Sequence, residues 1–110
     1  MNNILMMVKL RELMVIFIHR RSIPEKAADA LRYCQEYIPA NNVAIGVYGE
    51  YHEIIEQLQF LADEENHTAP DDLLSYGGEV MISILMLYER LGAAIAIEDY
   101  VQQSNRLKYQ

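Results

Sequence analysis

The run "ILMMVKLRELMVIFI", Ile4 to Ile18, decides the fold of this chain. Every other long segment has helical spacing, so this run alone separates an all-helical protein from a mixed one. Its end, "MVIFI", is β-branched enough to suit a strand. Apolar residues recur almost all round a helical wheel, however, and the length suits a helix better. The run therefore predicts a helix with no polar face, packed against its own core and a partner subunit. It does not read as a secretory signal or a membrane span. Lys9, Arg11 and Glu12 interrupt it and "HRRSIPEK" follows, whereas a signal starts positive and keeps an unbroken apolar centre, and a span needs about 20 nearly uncharged residues.

Downstream, Ser22 is placed to cap a second helix with Pro24 in its first turn. Ala27, Leu31, Cys34 and Ile38 give this helix its apolar stripe, and it ends near Pro39. "PANN" breaks the chain. A third helix is expected from about Asn42 to Asp63, with Val43, Val47, Tyr51, Ile54, Ile55, Leu58 and Leu61 along one side. "DEENHTAPDD" is a polar connection. A fourth helix, capped by Asp71 or a neighbour, should run to Leu91, where Gly92 supplies a stop. "AAIAIEDYVQQSNRLK" then makes a short final helix. The expectation is an all-α antiparallel bundle of about five helices in one domain, residues 1–110.

Composition narrows the function. The chain has 110 residues and 52% hydrophobic content, enough for one core and too apolar for disorder. Nine basic against sixteen acidic residues give a formal charge of −7. That balance argues against a nucleic-acid binder, which needs a basic face. It suits an acidic soluble protein, or one whose carboxylates hold cations. Cys34 is the sole cysteine, so neither an intrachain disulfide nor a CxxC zinc set can form, and a reducing cytoplasm is the expected compartment.

The carboxylates have a pattern. With Tyr51 at the centre of the third helix's stripe, Glu50, Glu53 and Gln57 fall on one flank and Glu56 on the other. On the fourth helix, Asp72, Tyr76, Glu79 and Ser83 line one edge beside the stripe of Val80, Ile84, Tyr88 and Leu91. If the two helices pack antiparallel, Glu50 and Glu53 face Glu79, with Asp72 nearby. Carboxylates so gathered repel one another unless a divalent cation sits among them. The plainer reading is an ordinary solvated helix edge.

From about Asn42 to Lys108 the chain resembles the MazG-like nucleotide pyrophosphohydrolases, the all-α superfamily that includes dimeric dUTPases. The family pattern is an ExxE helix, a variable connection, an ExxD helix within "ELGDV", then "LG" and a closing NxxKL. Here "IGVYGEYHEIIEQL" puts Glu50 and Glu53 at ExxE, "YGGEV" stands in for ELGDV, and "IEDYVQQSNRL" puts Gln103 and Arg106 at the Asn and Lys positions. Tyr76 replaces the first acid of ExxD, and Glu79, one methylene longer, replaces the Asp. The resemblance implies a Mg²⁺-dependent (or Mn²⁺-dependent) release of pyrophosphate from a nucleoside triphosphate. Glu50, Glu53 and Glu79 would hold the metal, Glu53 would also act in catalysis, and Gln103 and Arg106 would bind substrate. Asp72 is the nearest replacement for the acid lost at Tyr76. Family members pair helices across a subunit interface, so residues 1–40 would serve a homodimer or homotetramer. The alternative is a MazG-like oligomer that has lost catalysis and acts as a binding module.

Other residues read more plainly. "HEIIE" lacks the second histidine of a zinc protease, and no ExxH follows either glutamate as a di-iron bundle requires. His19, His52 and His67 are expected in solvent, and Cys34 in the core. The tyrosines are expected at core edges and interfaces, with Tyr48 or Tyr76 available for stacking.

Overall fold

The computed structural model describes residues 1–63 and 68–108. It contains α1 (Asn3–Ile18), α2 (Ile23–Tyr37), a 3₁₀ turn (Ala40–Asn42), α3 (Ile45–Ala62) and α4 (Pro70–Lys108), with no strand among the described residues. The apolar run at the N-terminus is thus a helix, and the chain is all-α.

Each helix buries residues at alternating spacings of three and four. In α1 these are Met6, Leu10, Leu13 and Phe17; in α3, Val47, Tyr51, Ile54, Leu58 and Leu61; in α4, Gly77, Val80, Ile84, Leu87 and Leu91. That spacing keeps a stripe facing its neighbour along nearly parallel axes, the packing mode of antiparallel bundles. The stripes meet in one continuous core. Helix α2 contributes Ala27, Ala30 and Cys34, small residues that let it lie close to α1 and α3.

Helix ends are tied by side chains. The Asn2 side chain accepts from the Leu5 amide at 2.7 Å, and the Ser22 hydroxyl from the Glu25 amide at 3.3 Å, capping α1 and α2. Two lysines fasten α1 to α2 reciprocally. Lys9 donates to the Tyr37 carbonyl at 2.6 Å, and Lys26 to the Phe17 carbonyl at 2.9 Å. Each ammonium sits at the carbonyl end of the other helix, where the helix dipole favours positive charge. In the core, Tyr51 donates its hydroxyl to the Ile38 carbonyl at 2.6 Å and so satisfies the end of α2.

Two sequence expectations are corrected. The third helix starts at Ile45 rather than Asn42, because Ala40–Asn42 forms a separate 3₁₀ turn and Val43 tucks into the core between them. The larger correction concerns Gly92. It neither ends a helix nor takes a left-handed φ, and α4 passes through it unbroken for 39 residues. Among the described residues, four α-helices therefore replace the expected five. A glycine stop needs the chain to turn into the left-handed region, and the alanines and isoleucines after Gly92 keep it helical instead. What Gly92 provides is proximity: a Cβ there would sit 3.3 Å from the Met7 Cε of α1.

An unbroken helix of this length spans about 58 Å at 1.5 Å per residue. It sets the long dimension of the molecule, which measures 63 × 25 × 22 Å. The last turns of α4 project past the bundle, with Ile97 64%, Tyr100 72% and Leu107 76% exposed. The outer face of α1 is also bare, with Ile4 63% and Ile18 71% exposed. By length and composition alone, α4 is long and apolar enough to cross a membrane.

Candidate functional site: the seam between α3 and α4

Helices α3 and α4 run antiparallel, and their facing edges form a seam with two grooves. The first, about 370 Å³, is lined by Glu50, Glu53, Ser83, Met86, Leu87 and Arg90. The second, about 390 Å³, is lined by Glu56, Gln57, Phe60, Leu61, Tyr76, Glu79 and Val80. All three expected carboxylates, Glu50, Glu53 and Glu79, therefore turn toward the same seam.

The register along the seam separates them. Opposite Tyr76 and Glu79 stand Gln57 and Phe60, while Glu50 and Glu53 stand opposite Ser83 to Arg90. The Phe60 and Tyr76 rings meet edge to face with centroids 5.9 Å apart. Tyr76 thus has an aromatic partner across the seam. Glu53 and Glu79 line different grooves.

Glu50 is engaged by Arg90. Its Oε1 is ion-paired with Arg90 Nη1, and Arg90 Nη2 donates to the Gly46 carbonyl at 3.1 Å. One guanidinium thereby joins α4 to the first turn of α3, a turn whose N-cap Ala44 has no side-chain cap. The fixed positive charge lies on the carboxylate expected to hold a divalent cation. Among the described residues no three His, Cys, Asp or Glu side chains converge on a point where an ion would sit. As placed within one chain, Glu50, Glu53 and Glu79 do not fit a shared magnesium ion.

The remaining expected residues lie elsewhere. Asp72 is exposed in the first turn of α4 beside Asp71, where acidic side chains complement the helix N-terminus. Gln103 and Arg106 are exposed on the projecting end of α4. Sixteen residues of helix put Arg106 about 24 Å along the axis from Arg90. His52 is exposed, pairs with Glu56 at 3.0 Å and stacks on Tyr48. Glu56, expected to face away, is solvent-exposed yet borders the second groove. His19 is exposed, and His67 lies outside the described residues.

Cys34 is buried against Tyr51. Burial pushes its thiol up to about 11, partly opposed by a hydrogen bond with Tyr51. Burial, with the neighbouring Cys34, raises the Tyr51 hydroxyl well above its ordinary range. A thiol held neutral is a core residue, not a nucleophile.

Arg90 is the residue that sequence reasoning missed. The edge traced through Tyr76, Glu79 and Ser83 continues by three and four to Met86 and Arg90, so extending the same count reaches it.

In comparisons with known proteins, no family model, curated protein or solved structure matches the chain significantly.

Proposed function

We propose that this chain is a MazG-like helical oligomer that acts as a binding module and does not hydrolyse nucleotides. The observation that carries the reading is Arg90, whose guanidinium occupies the Glu50 carboxylate inside the seam. A cation at that carboxylate repels a divalent metal and competes for its ligand. Self-association is supported by the bare apolar faces of α1 and of the projecting end of α4. A face of that extent on a small chain is a contact surface by default. Light scattering tests the assembly: the mass should be a multiple of 12.7 kDa, and a monomer at micromolar concentration would count against it.

One observation favours a second reading, a divergent magnesium-dependent nucleoside triphosphate pyrophosphohydrolase. Glu50, Glu53 and Glu79 all turn toward one seam, and the projecting end of α4 could offer Gln103 and Arg106 to a neighbouring chain. That reading requires Mg²⁺-dependent pyrophosphate release that disappears in Glu53→Gln.

A further inference from the structure

Helix α4 is apolar on two opposite faces. One is the core stripe of Val80, Ile84, Leu87 and Leu91. On the far side of the helix, Ile82, Leu85, Ala93, Ala96, Tyr100 and Leu107 recur at helical spacing. All six are exposed, and Glu89, also exposed, interrupts the row. With the charged turns at its two ends, this outer face is about 58 Å long and about 10 Å wide. Two copies laid along it would bury about 600 Å² each, or about 1,200 Å² together, which reaches the size of a specific interface.

The order of residues along this face selects a second copy of the chain as its occupant. The first turn of α4 carries Asp71 and Asp72, and the last turn carries Arg106 and Lys108. An antiparallel pair sets each acidic end beside a basic end, whereas a parallel pair sets like beside like. Three pairs of residues lie equally far from Glu89 on opposite sides: Asp72 and Arg106 by 17 residues, Ile82 and Ala96 by 7, Leu85 and Ala93 by 4. A two-fold axis at Glu89 therefore sets acid against base at both ends, and a large side chain against an alanine at every step between. Facing helices interdigitate in that way. A bilayer suits the face less well, because Glu89 lies at its middle and the chain carries a charge of −7. We infer that two copies pair antiparallel along the outer face of α4, with the two-fold axis at Glu89. The pairing rests on the oligomer reading above and adds its face, direction and register. The two Glu89 carboxylates then face each other across the axis, and their repulsion weakens the contact.

Disulfide trapping in the full chain tests the register. Residues 82 and 96 of one helix lie about 21 Å apart, far beyond the reach of a disulfide, so a bond between them must join two chains. Ile82→Cys with Ala96→Cys, both at exposed positions, should give a covalent dimer of twice 12.7 kDa on mild oxidation. The wild type, whose one cysteine, Cys34, is buried, should not. Ala96→Cys alone should not cross-link, because the antiparallel register holds its two copies about 21 Å apart. Glu89→Gln should tighten association about fivefold in sedimentation, through loss of the facing charges. An assembled wild type without the 82–96 cross-link would overturn this pairing and leave the oligomer reading standing. So would efficient cross-linking of Ala96→Cys alone, the mark of a parallel pair, or weaker association of Glu89→Gln. A monomeric wild type would overturn both readings, and a monomer that sediments with phosphatidylcholine vesicles would assign the face to a membrane instead.

Discussion

Arg90 of α4 reaches across the seam to ion-pair with Glu50 and to donate to the Gly46 carbonyl at 3.1 Å, so one side chain joins the middle of α4 to the first turn of α3 and occupies a carboxylate. The two side chains are 53% and 40% exposed, so water screens the attraction. Exposed pairs of this kind contribute about 0.2–1 kcal/mol. Arg90→Ala should therefore destabilise by about 0.5–1 kcal/mol, since it also removes the hydrogen bond to the Gly46 carbonyl. A double-mutant cycle with Glu50→Ala, read by urea unfolding, should give a coupling of roughly 0.5 kcal/mol that shrinks in high salt. A coupling of zero would mean that the pair does not hold in solution.

The buried hydrogen bond from Tyr51 to the Ile38 carbonyl should be worth more than that surface pair. Tyr51→Phe keeps the ring and leaves a buried carbonyl without its donor. The expected loss is about 1–3 kcal/mol in chemical denaturation. A neutral result would show that the carbonyl finds water.

Cys34 gives a pH prediction with a defined sign. Its folded thiol is raised to about 11 from an ordinary 9.0. Below about 9 both folded and unfolded chains keep the proton, and stability is independent of this group. Between about 9 and 11 the unfolded chain releases its proton while the folded chain does not, so stability falls as pH rises. Tyr51 and Tyr33, both raised mainly by burial, act in the same direction at higher pH. Thermal melts at intervals from pH 8 to pH 11 should show a falling midpoint, and Cys34 should resist alkylation at neutral pH until the chain unfolds. Rapid labelling of the native protein would contradict the burial.

Two neighbouring glycines in α4 should respond differently to alanine. A Cβ at Gly78 meets nothing within 4 Å, so Gly78→Ala should stabilise by about 0.5–1 kcal/mol through helix propensity. A Cβ at Gly77 would lie 3.1 Å from Ile23 Cδ1, so Ile23 must shift and the same gain is offset. The Gly77 variant should melt below the Gly78 variant. Equal stabilisation would mean that α2 and α4 are further apart than the structure has them.

Much of this architecture was legible from side-chain spacing. The stripes of α3 and the first half of α4 follow directly from the three-and-four count, and Ser22 capped as its position suggested. Gly92 departs from its expected role because a glycine after "RL" carries a stop signal in sequence, while its actual surroundings depend on Met7, a residue far away in the chain. Glu50, Glu53 and Glu79 turn toward the seam because the edge of a helix is a local property, whereas Glu56, expected to face away, borders the seam as well. Their register across the seam was not legible: which residue of α3 faces Glu79 depends on how far one helix slides along the other, and core packing sets that distance. Tyr76 pairing with Phe60 is the visible result.

The projecting end of α4 should be an assembly surface. Glutamates at Ile97 and Tyr100, both exposed, should leave the monomer's core intact and lower the mass seen by light scattering. Unchanged mass would move the interface to α1, where Ile4→Glu with Ile18→Glu is the corresponding test.

The most direct measurement is pyrophosphate release by the purified wild-type chain from a full panel of ribo- and deoxyribonucleoside triphosphates, with Mg²⁺ and with Mn²⁺. The seam as closed by Arg90 predicts no release above the protein-free rate from a folded, assembled protein. Metal-dependent release that is lost in Glu53→Gln would contradict it, and would show that Glu50 leaves Arg90 to take up a metal.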